Sequence, residues 1–179
     1  MANEPQQGLD NRDPYDWMSK WPRRAWIHII CESVYVFSLL VFSCASFLLV
    51  WLGWPASQFS LTGERAASLD RYLYYTLGGL LGGTLFDIKW LYRGVARGLW
   101  HVDRVVWRIL SPLLSAGFAL AASFAIEAGY IGQHLQGKNA AYVATGVLIG
   151  YFSDHAVAKM SDLADAAFGA PGKRGDRKA

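Results

Sequence analysis

The stretch WIHIICESVYVFSLLVFSCASFLLVWLGW, residues 26–54, decides the fold class. Between Arg24 and Glu64 the only charged side chain is Glu32. A helix of about 20 apolar residues crosses the roughly 30 Å hydrocarbon core of a bilayer, so a run of this length reads as a membrane span. Its flanks agree. Trp17, Lys20, Trp21, Arg23 and Arg24 precede it, and Trp51 and Trp54 close it, which is the basic and aromatic dressing of a membrane interface.

Outward from that run, the whole chain has the same character. Its 179 residues are 53% hydrophobic, 15% aromatic and 17% charged, with eight tryptophans. An average soluble domain is about 25% charged, so this balance speaks against a soluble enzyme, a disordered chain and a disulfide scaffold. Cys31 and Cys44 both lie in the first run and point to nearly opposite helix faces, which rules out a bridge between them. They read as buried free thiols. Residues 1–19 are polar and lack the apolar core and cleavage site of a signal peptide, so they read as a cytoplasmic arm.

The expected fold is all-α: a polytopic membrane protein with four transmembrane helices at 26–54, 69–91, 112–131 and 140–160. An arm over 1–24 precedes this membrane domain (25–168), and a basic disordered tail over 169–179 follows it. Pro55 is expected to end the first span, and the fourth to continue as a C-terminal amphipathic helix. With both termini on one side, that side holds fourteen of the seventeen basic residues and leaves Arg65, Arg71 and Lys138 opposite. The positive-inside rule then puts both termini in the cytoplasm. Residues 89–110 are expected to form an amphipathic helix along the cytoplasmic leaflet. Arg93, Arg97, Arg104 and Arg108 make its basic stripe, aimed at anionic headgroups, and Leu91, Val95, Leu99, Val102 and Val106 its apolar one.

Two segments share a pattern. GLLGGTLFD at 79–87 and GVLIGYFSD at 146–154 both read Gly-x-x-x-Gly-x-x-x-Asp, and each aspartate closes a charge-free window of fifteen residues. Such a window covers about 22 Å as a helix, less than the hydrocarbon core. Asp87 and Asp154 are therefore expected at the cytoplasmic interface. Arg93 and Lys159 are their nearest cations, with Arg97 or Arg104 as alternatives from a neighbouring helix. Gly79, Gly83, Gly146 and Gly150 let helix backbones approach, and are expected to pack helices within a homo-oligomer. His28, Glu32 and Tyr35 share one face of the first span. Ser115, Ala119, Ser123 and Glu127 share one face of the third. Ionisable groups inside a span are costly unless paired or hydrated, which makes His28, Glu32 and Glu127 candidates for ion or proton handling or for structural hydrogen bonds.

No motif of an enzyme is present, so no catalytic residue, cofactor or metal is expected. The basic stripe lies against a membrane, which speaks against nucleic acid. The runs GGTLFDIKWLYRGVARGLWHVDRVVWRILSP and GYFSDHAVAKMSDLADAAFG resemble an uncharacterised group of small bacterial four-span inner-membrane proteins. The resemblance covers roughly the second half of the chain and carries no activity with it. Small membrane oligomers also serve in bacterial anti-phage defence. Three functions remain open: an oligomeric pore or membrane-perturbing assembly answering a cytoplasmic signal or protein, a non-conducting anchor for a soluble partner, and a small proton-coupled transporter with Glu32 as exchange site.

Overall fold

A computed structural model describes residue 19 and residues 21–130 and 139–153. It is all-helical, with no strand among the described residues. The first helix, α1 (Arg23–Trp51), starts after Pro22, whose missing N–H costs nothing at a helix entry. It ends three residues before the expected Trp54, because Gly53 takes a left-handed conformation (φ 70°) and its N–H turns back to the Val50 carbonyl at 2.9 Å. Pro55 does not terminate α1. It sits instead in the first turn of a short helix, α2 (Trp54–Gln58).

The long helix α3 (Glu64–Ala96) has 33 residues. At 1.5 Å per residue it is about 50 Å long, so it takes in both the expected second span and the first third of the expected interfacial helix. Gly98 stops it. With φ 72° it follows the C-cap Arg97, its N–H bonds to Val95 O at 3.2 Å, and the Leu99 N–H bonds to Gly94 O at 2.9 Å. Those two bonds are a Schellman motif, which satisfies carbonyls that a helix end leaves open. The expected continuous helix over 89–110 is therefore corrected to two helix ends facing each other across a turn. A single helical turn over Val102–Arg104 leads into α4 (Val105–Glu127), and the last described helix is α5 (Asn139–Tyr151). The proposed C-terminal amphipathic helix and the tail lie outside the described residues.

Two helical stretches, Arg23–Trp51 and Val102–Glu127, are long and apolar enough to cross a membrane. Helix α3 is the hub that α1, α4 and α5 all pack against. The GGLLGG run at 78–83 makes this hub thin on two sides at once. Gly78 and Gly82 face α5, where a Cβ on Gly78 would lie 2.7 Å from the Val143 carbonyl oxygen. Gly79 and Gly83 face α4, where a Cβ on Gly83 would lie 2.6 Å from the Ser115 side chain. From α5, Gly146 meets the Tyr75 backbone and Gly150 the Gly79 backbone. Backbones this close admit no side chain between them. The glycine faces are thus filled by the chain's own helices, which corrects their expected role as a contact between copies. On α4, Ser115, Ala119 and Ser123 are fully buried on the face that meets α3.

Helix α1 is peripheral. Val34, Phe37, Val41, Phe42 and Leu48 are all more than half exposed. Cys31 and Cys44 are exposed free thiols as well, a correction to their expected burial: an apolar run on an outer helix presents much of its surface outward.

Candidate functional site

Three helices bring charge together at the end of the bundle where α3 hands over to α4. Glu32 on α1 is 5% exposed, and its Oε2 pairs with Arg108 Nη1 on α4. Trp100, in the turn after α3, donates its indole N–H to the same oxygen at 3.2 Å. The Arg108 guanidinium lies 6.0 Å from the centre of the Trp100 ring, within the range of a cation–π contact. Asp87 on α3 is 2% exposed, hydrogen-bonded to Ser111 and within the field of both Arg108 and Glu32. One buried guanidinium therefore serves two buried carboxylates. Glu32 Oε1 and Asp87 Oδ2 are buried with no hydrogen-bond partner.

The sequence dictates this geometry through spacing. His28, Glu32 and Tyr35 do share a face of α1, and all three turn to the same place. His28 stacks on Trp100 with ring centroids 6.5 Å apart, and Tyr35 donates to the Ile109 carbonyl at 2.9 Å. Trp21 closes the cluster, edge-on to Trp100 at 5.8 Å. The pairing corrects two expectations. Arg108 is 9% exposed and bound to Glu32, so it is no headgroup-facing residue. Asp87 turns to Ser111 and Arg108 and not to Arg93, because the turn at Gly98 folds α4 back beside α3 and brings Arg108 under it.

Beside the cluster opens a cavity of about 480 Å³. From α3 it receives Asp87, Trp90, Arg93 and Arg97, which recur at three- and four-residue steps and so share a helix face. From the other side come Asp103, Arg104, Trp107 and Arg108. All four arginines of the expected basic stripe thus line one cavity, drawn from two helix ends.

At the opposite end, Glu127 accepts from Arg71 and from the Tyr72 hydroxyl, tying α4 to α3. Both partners of that ion pair are about one-third exposed, which makes it a surface clamp worth little energy. Asp154 lies outside the described residues. Among those described, no three His, Cys, Asp or Glu side chains gather as a metal ion would require. Trp100 and Ser111 are the site residues that spacing along the chain did not disclose. Gly98, directly after Arg97, was the available signal, since a glycine just past a basic last turn marks a helix stop.

Comparison of the chain with family models, with curated proteins and with solved structures finds no match. Fold and site together define the class: among the described residues, an all-helical protein with two helices long and apolar enough to cross a membrane and a charged cluster buried at one end.

Proposed function

We propose that the chain is a four-span inner-membrane protein with both termini in the cytoplasm, and that it self-associates into a membrane-perturbing or conducting assembly controlled from its arginine-lined end. One observation carries this reading. The Glu32–Arg108 pair with Asp87 joins α1, α3 and α4 beside a cavity, so a ligand that competes for Arg108 bears on three helices together. The exposed apolar side of α1 supports a lipid environment, since a soluble monomer rarely shows so large a contiguous apolar surface. The 33-residue length of α3 and the fifteen-residue charge-free window over 139–153, thirteen residues of which form α5, support four spans over two.

Any conducting path belongs between copies. Within one chain the backbones of α3, α4 and α5 meet along their glycines and leave no room for one. The test is ion flux from liposomes holding the purified protein, compared with Glu32→Gln. The proposal expects flux in the parent that the variant changes at equal incorporation. No flux from either, together with a soluble protein retained on the purified chain, favours the anchor instead. The transporter reading needs a carboxylate free to exchange protons, and the ion pair of Glu32 with Arg108 weighs against it.

A further inference from the structure

We propose that the cavity between the end of α3 and the start of α4 binds a phosphate ester that also carries a hydrogen-bond donor, an amine or a hydroxyl. The proposal deepens the reading of this end as the controlling one. It does not depend on conduction, because binding and flux are separate readouts and either can fail alone.

Charge gives the first half of the ligand. Arg93, Arg97 and Arg104 are exposed side chains on the cavity wall, and neither ion pair among the described residues involves them. Their guanidinium forks match phosphate oxygens in shape and charge, and they converge from two helix ends instead of spreading along one. Trp90 and Trp107 stand on either side and offer flat apolar surface to the organic part of an ester. The volume of about 480 Å³ suits a small polar molecule or a lipid headgroup.

The second half comes from an independent observation. Asp87 is on the same wall, 2% exposed, and its Oδ2 has no hydrogen-bond partner. A bare anion would leave that oxygen without a donor, whereas an ammonium or hydroxyl a few bonds from the phosphate would satisfy it. Phosphatidylethanolamine and phosphatidylglycerol carry such donors on a phosphate, and so does free phosphoethanolamine. Phosphatidylcholine has the phosphate and no donor.

The site can also be filled by design. Gly94 lies on the cavity wall inside α3, and a Cβ added there meets nothing within 4 Å. Gly94→Leu therefore adds bulk to the cavity wall from a Cβ that meets no neighbour.

The experiment is native mass spectrometry of the purified full chain in a neutral detergent. It is titrated with phosphatidylethanolamine, phosphatidylglycerol, phosphatidylcholine, phosphoethanolamine and inorganic phosphate. Donor-bearing esters are expected to bind one per chain, about tenfold more tightly than phosphatidylcholine, the worth of one charge-assisted hydrogen bond. Arg97→Gln, Arg104→Gln and Gly94→Leu should each weaken that binding about tenfold or more. Arg24→Gln, exposed at the start of α1 and not on the cavity wall, should bind like the parent. Asp87→Asn should erase the preference over phosphatidylcholine. Equal binding of phosphoethanolamine and the lipid marks a soluble ligand as the source, and binding of the lipid alone marks the headgroup. The proposal is overturned if Gly94→Leu and Arg97→Gln bind like the parent, if Arg24→Gln loses as much as they do, or if no donor-bearing ester binds.

Discussion

Arg108 is 9% exposed, paired with Glu32 and within the field of Asp87, and its energetics follow from that. Desolvating three charged groups costs several kcal/mol each, and the cost is repaid only while the cation stays between them. Truncation to Arg108→Met leaves Glu32 and Asp87 facing each other unpaired, and should cost about 3–5 kcal/mol of stability, read as loss of folded, monodisperse protein in detergent. The double variant Glu32→Met with Arg108→Met removes the charge pair while keeping its volume, and should recover much of that loss. Strictly additive losses in the two single variants and the double would show that the pair is not coupled. Trp100→Phe keeps an aromatic ring but removes the pyrrole half of the buried indole with its donor, so a loss of about 1–3 kcal/mol is expected from the hydrogen bond and the packing together. At this scale the chain was half legible. Glu32 stood out as the lone charge in its run, whereas its partner lies 76 residues away and nothing in local spacing points to it.

Helix packing here rests on glycines, and they divide into two kinds by what surrounds them. Gly82 and Gly150 sit where a Cβ would enter the backbone of the facing helix, while Gly94 and Gly117 look onto open space. Gly82→Ala and Gly150→Ala must therefore push α3 and α5 apart, and each should lower thermal stability in detergent. Gly94→Ala and Gly117→Ala meet no neighbour and improve helix propensity, so they should leave stability unchanged or raise it by up to about 1 kcal/mol. A matching loss in all four would mean that the close approach of α3 and α5 does not hold. The repeated Gly-x-x-x-Gly pattern made a packing role legible, but not which surface it packs, because a small-residue face suits a partner helix of the same chain and one of another copy equally. The interfacial helix failed for a different reason. Amphipathic periodicity continues across residues 89–110, and one glycine at a positive φ outweighs it, since Gly98 satisfies the end of α3 and frees the chain to reverse. Gly98→Ala should accordingly strain that turn and loosen the contact of Trp100 with Glu32.

For the whole molecule, two long apolar helices and the exposed apolar side of α1 are compatible with a bilayer around the bundle. Cys31 and Cys44 provide a natural probe of it, being exposed on α1 with no disulfide between them. If lipid surrounds α1, a membrane-impermeant maleimide should leave both thiols unmodified in sealed vesicles and modify them once detergent strips the lipid. Thr62 is exposed in the connection between α2 and α3, which the proposed arrangement puts on the side with few basic residues. In the four-span arrangement Thr62→Cys should react from outside right-side-out vesicles, and a cysteine appended after Ala179 should react only when the reagent reaches the inside. Each half of the outcome tests a different step. Prompt labelling of Cys31 and Cys44 in intact vesicles would remove the bilayer from around α1. Labelling of both engineered sites from the same side would leave the bilayer in place and overturn the fourteen-to-three division of basic residues as a guide to topology.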